Sequence, residues 1–522
     1  MRVEQRFEKV FQAVLWVGVI CFLLAVFVTN LFHFNYKMNA DIGAEAILGR
    51  LIWESGQILP DGWYGSNEVR LLCAPNLAAL FYGLCHNMNL AQGLACCVMT
   101  VLICINIGYF LGQLGMAHKY RLLMVFLCLM LPSGFIALEL TYLFASYYAI
   151  HVIVLFFTLA VYGKWVRSGE FQWGPLILSG LLAFCLGVQG VRGILVIYGP
   201  MTGMELIRRL YCLYERRKRQ RTDRLISLWV AALLFLSFLG TLAPISIGQG
   251  FSRNIRNGFR KLIQVVLPDM GRAMGFPYTD MVGEICLGLL LFAALMVLAG
   301  ILLRMLRKKF IRAEEWIFLI LCSSPVVTAL IVAFTTVESS QRYYFILIFA
   351  VAYGVVLLYQ CSGLATRIGI AAVISAMAVV NFSHIYLPVL RSQEPASSDS
   401  FAVVQYLEEH GYDSGYATFE NANTMTVLTN GGLLIAPVAS VAEMDICKWL
   451  SSSGWYVPNV PFEKKTVYIV TEAERAEFGR LLKRKGENQF RLLVKIGKYS
   501  IYCSDYNFSN LGAHSSKAAK PE

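Results

Sequence analysis

The sequence predicts a mainly α, polytopic membrane protein of about eleven transmembrane helices, with a small extracytoplasmic α/β domain at its C-terminal end. Three observations predict it. Of the 522 residues, 57% are hydrophobic and 15% charged, against about 45–50% and about 25% in ordinary soluble chains. Apolar runs long enough to cross a bilayer recur from the N-terminus to about residue 390. Beyond "RSQEPASSDS" those runs stop, and short alternating and helical patterns replace them.

The first span follows a basic start (Arg2, Arg6, Lys9) and runs from about Phe11 to Phe32. It has no small-residue cleavage site, so it reads as a span and not as a removable signal. Ten further apolar runs lie near 91–114, 122–138, 147–163, 174–190, 193–207, 225–245, 284–304, 315–335, 344–360 and 368–387. The segment "LCAPNLAALFYGL" is too short to cross alone and reads as interfacial or re-entrant.

Charge sets the expected orientation. Alternate loops hold 21 lysines and arginines, among them the run "ERRKRQR", against ten in the opposite set up to Pro388. The richer set is expected to be cytoplasmic. This places the N-terminus in the cytoplasm and the C-terminal domain outside the plasma (inner) membrane. The net charge of +12 is thereby explained by topology, and no nucleic-acid partner is implied. Most of the fourteen cysteines lie in apolar runs and no ligand spacing joins them to histidines, which gives no support to a zinc site.

These readings divide the chain into a transmembrane domain, 1–390, with exterior loops 33–90 and 246–284. A linker, 391–400, leads to the α/β domain, 401–506, and a disordered tail, 507–522. In that domain "SFAVVQYLEEHG" and "EAERAEFGRLLKRKG" have helical spacing with a glycine stop. "YATFE", "KTVYIVT" and "FRLLVKIGKYSIYCS" read as strands, and "ENANTMTVLTNGG" as a polar turn region able to touch a glycan. Cys447 and Cys503 both fall here, where an oxidising exterior could pair them.

The first exterior loop is the richest in chemistry. Ala44, Ile47, Leu48, Leu51 and Ile52 follow helical spacing, so a helix with that stripe should lie on the membrane or on neighbouring helices. Asp41 stands at its first turn, as an N-cap or as a general base. Arg253, Arg256 and Arg260 recur at helical spacing in the second long loop. Lipid headgroups or a bound phosphate would each account for them. A carboxylate and a phosphate cradle on one membrane face suit sugar transfer from a lipid phosphate: a base takes the acceptor proton, and positive charge steadies the leaving phosphate. A glycosidase would need two carboxyl groups.

With these residues in view, the chain resembles the GT-C superfamily of polyprenyl-phosphate-sugar-dependent glycosyltransferases, and most of all its bacterial protein-mannosyltransferase and aminoarabinose-transferase relatives. Asp41, "ESGQILPDGWY", "APNL" and the Arg-Tyr opening of a late span in "ESSQRYYFILIFAVAYG" carry the resemblance over roughly residues 1–390. It implies that Asp41 is the catalytic base, that Glu139 in "ALELTYLFASYY" fills a second acidic position and that Arg342 contacts donor phosphate. The expected partners are a polyprenyl-phosphate-linked sugar donor, a glycan, lipid or protein acceptor, and membrane lipids. Ile42 follows Asp41 in place of the family's common Asp-Glu pair. A divalent metal therefore lacks a paired acidic motif, and no cofactor is expected.

Other residues keep two readings. Glu68 and Arg70 would bind the acceptor or form a surface ion pair. Trp63 and Tyr64 would stack on a sugar or anchor at the interface. Arg192 and Tyr343 would contact substrate or serve packing, and His33, His151 and His384 read as packing residues. A lipid-linked-sugar transporter or flippase is the competing class, and a non-catalytic membrane scaffold another. Transporters place ionisable groups at mid-membrane and show paired repeats. Here the charges collect in the exterior loops.

Overall fold

A computed structural model describes residues 2–214, 221–243, 252–392, 398–456 and 461–509. The basic run "ERRKRQR", part of the second long loop, part of the linker and nearly all of the 507–522 tail fall largely outside the described residues. The chain forms two compact units. One comprises Met1–Phe27, Leu71–Cys73 and Cys97–Leu390; the other comprises Val28–Arg70, Ala74–Cys96 and Arg391–Glu522.

The first unit is helical. Among the described residues of the whole chain, eight helices are long and apolar enough to cross a membrane: Val3–Phe32, Met88–Gln113, Ala149–Ser168, Thr222–Thr241, Met281–Leu306, Ala313–Ala333, Gln341–Cys361 and Leu364–Arg391. Three of the eleven apolar runs give shorter pieces. These are His118–Met130, Trp173–Gln189 and the 193–207 run, which is π-helical over Ile194–Tyr198 before Gly199–Tyr214 continues it. Helices Trp173–Gln189 and Arg221–Thr241 pack with their backbones close together. A Cβ on Gly187 would lie 2.0 Å from the Ser237 carbonyl oxygen, so only glycine fits there.

The second unit is built on a six-stranded sheet. Its strands are β2 (Ser414–Thr418), β3 (Leu434–Ser440), β4 (Asp445–Ile446), β6 (Pro461–Thr471), β7 (Arg491–Ile496) and β8 (Tyr499–Tyr506), in the order β4-β3-β2-β6-β8-β7. The central β3, β2 and β6 are parallel, and both edges are antiparallel. Successive side chains of β6 enter opposite cores, as a sheet covered on both faces requires. Val467 and Ile469 pack with Val404, Leu407 and Met425. Tyr468 and Val470 pack with Phe478 and Leu481. The predicted helices and strands of this domain are found, except that the strand over "YATFE" ends at Thr418, and Gly411 (φ +72°) follows the helix Ser398–Glu409.

"ENANTMTVLTNGG" departs from its expected turn structure. Phe419–Leu428 is a helix, and Asn421, Asn423, Thr424 and Thr426 are buried. Asn421, Asn423 and Thr426 each make a side-chain hydrogen bond within the unit, while Asn423 Oδ1 and Thr424 Oγ1 are buried without one. Asn423 Nδ2 donates to the Leu450 carbonyl at 3.1 Å, and Thr426 Oγ1 accepts from the Ile435 N–H at 3.0 Å. Small polar groups that gain hydrogen bonds can be buried, which composition alone does not show.

The opening loop belongs to this same unit. Helix Ala40–Ser55 packs on Ala74–Cys85, with Leu48, Ile52, Ala79 and Trp63 as a small core. On its other side it meets Phe419–Leu428, where a Cβ on Gly43 would lie 2.9 Å from the Asn423 backbone. The predicted stripe is therefore buried largely against protein. β1 (Trp63–Tyr64) pairs antiparallel with β5 (Ser451–Ser452). Asn430 clamps the chain beyond Cys85: its Nδ2 donates to the His86 carbonyl at 2.9 Å, and its Oδ1 accepts from the Met88 N–H at 2.8 Å. Cys447 and Cys503 are both free thiols.

Candidate active site

Helix Ala40–Ser55 begins at Asn39, whose extended backbone and side chain form the cap: Oδ1 accepts from the Ile42 N–H at 2.9 Å. The capping role expected of Asp41 is filled by its neighbour. Asp41 is half-buried in the first turn, and Glu45 follows one turn later on the same face. Glu45 is only 2% exposed. Arg70 reaches it from the far end of the loop, Nε donating to Oε1 at 2.7 Å, while Nη1 lies 3.4 Å from Glu68 Oε2. The second oxygen of Glu45 is buried without a hydrogen-bond partner.

This group holds three carboxyls and one guanidinium. Burial pushes the Glu45 carboxyl above the usual carboxylate range. The charge and hydrogen bond of Arg70 pull it down, and Asp41 and Glu68 push it up again. Arg70 is itself steadied where Asn76 Nδ2 donates to its carbonyl at 3.2 Å. Among the described residues no group of three or more His, Cys, Asp or Glu side chains has the arrangement to hold a metal ion.

The first unit carries a second group. Glu139 is 5% exposed on the short helix Phe135–Thr141. The chain then bends through Phe144 (φ 57°) and Ser146 (φ 48°), both buried. A left-handed conformation costs a non-glycine residue about 1 kcal/mol. The bend returns Tyr147 and Tyr148 over the same helix, their N–H groups donating to the Glu139 and Leu140 carbonyls. Arg192 lies over the Tyr148 ring at 3.8 Å and 5.5 Å from that of Tyr343. Arg342 stands 5.7 Å from the Tyr147 ring. Gln189, one turn before Arg192, accepts from the Leu72 N–H at 3.0 Å. Beside Arg342 and the Phe135–Thr141 helix is a largely apolar cavity of about 190 Å3, with Arg272 and Gln341 among its polar lining.

A crystal structure of ArnT from Cupriavidus metallidurans in the apo state superposes on this architecture with a TM-score of 0.53. The match covers 94% of this chain and 98% of that one, at 11% sequence identity. The chain therefore has an ArnT-like fold. No protein-family model and no curated protein matches the sequence.

Within that fold, the residues singled out from sequence fall into three sets. Asp41, Glu68 and Arg70 come together, and Glu139, Arg192, Arg342 and Tyr343 form the second group. The basic residues of the long loop do not behave as one helical face. Arg253 precedes the helix Ile255–Lys261, in an isolated bridge with Thr335, so only Arg256 and Arg260 share it. Both are exposed, and Arg260 Nε donates to Gln264 at 2.9 Å. Their neighbour Lys261 is used structurally, donating to the Val332 and Thr335 carbonyls at 2.7 and 3.0 Å. Burial lowers its pKa, with Glu338 opposing. Trp63 meets Trp455 edge to face, ring centres 6.2 Å apart.

Sequence reasoning missed Glu45. Its spacing from Asp41 was visible, but Glu45 lies within a run otherwise assigned to the apolar stripe. Its partner is 25 residues away, and nothing local signals that pairing.

Proposed function

We propose that the protein is an integral-membrane glycosyltransferase that moves a sugar from a polyprenyl-phosphate donor to an extracytoplasmic acceptor hydroxyl, with inversion. The observation that carries the reading is the Asp41–Glu45–Glu68–Arg70 group on the loop after the first span. A GT-C-like fold supports it.

In this reading Asp41 is the base. It is half-buried and so open to an acceptor, whereas Glu45 is enclosed and held by Arg70. Glu45 and Arg70 are positioning residues: they set the polarity of the helix face on which Asp41 stands. The Asp41 carboxylate takes the proton from the acceptor O–H, and the acceptor oxygen bonds to the anomeric carbon. The bond from that carbon to the phosphate oxygen breaks, and polyprenyl phosphate leaves with the electron pair. Its charge requires cationic donors, the role given to Arg342 and Arg192. Tyr343 would line the substrate, and Glu139 would keep the second acidic position. Arg256 and Arg260 suit a phosphate arriving along the lipid surface.

The acceptor is a glycan, lipid or protein hydroxyl on the outer face of the plasma membrane, with the N-terminus cytoplasmic. The test is reconstitution of the purified protein with a panel of polyprenyl-phosphate sugars. Asp41→Asn should lower turnover by roughly 10²–10⁴-fold with membrane expression unchanged. Full transfer by that variant would remove Asp41 as base. Movement of the lipid between leaflets without a new glycosidic bond would identify a transporter instead.

A further inference from the structure

The end of the helical unit remote from Glu139 holds a cavity of about 860 Å3. Helix Ala149–Ser168 connects the two ends: Tyr148 precedes it and Arg167 lies in its last turn, about 30 Å further on at 1.5 Å per residue. Five arginines line the cavity, namely Arg167, Arg208, Arg209, Arg224 and Arg312, against two carboxylates, Asp223 and Glu314. These arginines belong to the loops that sequence analysis assigns to the cytoplasmic face.

Two of the five are committed to a buried anion. Glu205, 3% exposed, accepts from Arg208 Nε at 2.7 Å, from the Tyr162 hydroxyl at 2.9 Å and from the Ser227 hydroxyl at 2.6 Å. Arg209 Nε donates to the same Ser227 oxygen at 2.7 Å. Arg208 also reaches Asp223 at 3.3 Å, and Arg312 pairs with Glu315 at 3.1 Å. The floor is thus a fixed network with its charges matched.

Arg167 and Arg224 are different. Both are exposed, and neither has a carboxylate partner among the described residues. Arg167 is nevertheless placed: its Nη1 would lie 1.9 Å from a Cβ on Gly115, so the guanidinium lies close against that backbone. The rim is apolar, with Leu213, Leu228 and Phe310 all exposed. A pocket with arginines inside and aliphatic groups at its edge matches a molecule with an anionic head and a hydrocarbon tail.

We propose that this cavity binds the phosphodiester headgroup of an anionic phospholipid, with Arg167 and Arg224 contacting the phosphate and the Leu213–Leu228 rim receiving the acyl chains. Guanidinium groups match phosphate oxygens bidentately, and basic pockets between transmembrane helices hold anionic headgroups. The shared chemistry is a phosphate-bearing anion, and the apolar rim favours the lipid over free phosphate. The site is independent of sugar transfer.

The experiment uses the full-length protein in nanodiscs of phosphatidylcholine doped with phosphatidylglycerol, reading retained lipid by native mass spectrometry. Wild-type protein should retain phosphatidylglycerol over phosphatidylcholine. Arg167→Gln/Arg224→Gln should weaken that retention roughly 30-fold, two arginine contacts' worth, with an unchanged melting temperature in pure phosphatidylcholine. Unchanged retention by the double variant would overturn the site. Displacement by inorganic phosphate at equal concentration would overturn the lipid assignment. Should the double variant melt early, each single variant should still lose roughly fivefold, and no loss in either overturns the proposal.

Discussion

Around Glu45, charge is held by charge: a carboxyl with almost no exposure is matched by one arginine and crowded by two further acids. Around Tyr148, arginines lie against ring faces, Arg192 at 3.8 Å from the Tyr148 ring and Arg342 at 5.7 Å from that of Tyr147. The difference decides what each group can do. An ion pair spends its polar atoms on its partner and fixes a helix. A guanidinium over an aromatic ring is oriented through its face. The first arrangement suits positioning, and the second suits capture of an anion.

The largest stability effect should come from Arg70→Ala. Removing one partner of a buried pair leaves an uncompensated carboxyl and costs about 3–5 kcal/mol, read as a drop in melting temperature. A change below about 1 kcal/mol would mean that the pair does not hold the loop. Gly43→Ala comes next. The new methyl would meet the Asn423 backbone at 2.9 Å, an overpacking cost of about 2 kcal/mol, and proteolysis of the C-terminal domain should quicken.

In the aromatic group, Arg192→Lys keeps the charge but loses the planar stack. An effect of about tenfold on kcat/KM with little loss of stability is expected. Full activity would show that charge alone suffices and would erase the contrast between the two groups.

The smallest effect is a pH slope. Because the Glu45 pKa is raised, the stability contributed by its neutral form is complete below the ordinary glutamate value of 4.5. It is lost as pH rises through the elevated folded value. Glu45→Gln should flatten thermal melts over that window. An unaltered slope would mean that Arg70 keeps Glu45 charged throughout.

Much of the fold was legible because it rests on local signals. Apolar runs, the break at "RSQEPASSDS" and glycine stops are properties of neighbouring residues, and they yielded a mainly helical chain with a small α/β domain. Short helices were harder. The 122–138 run gives only His118–Met130 before the chain turns at Pro132, and apolarity alone does not reveal that break. Of the candidate site, Asp41, Glu68, Arg70, Glu139, Arg192 and Arg342 were named from loop position and residue type. The cap at Asn39 was two positions from where the pattern suggested.

By itself, then, the sequence determined which segments are apolar enough to cross a membrane and which loops carry acids and arginines. Only the tertiary structure decided the pairings: Glu45 with Arg70, Arg192 with Tyr148, and Trp63–Tyr64 with Ser451–Ser452 nearly 400 residues on. The physical reason is range. Helical and strand periodicity act over a few residues, whereas an ion pair, a ring stack or a strand pairing depends only on distance in space, whatever length of chain lies between.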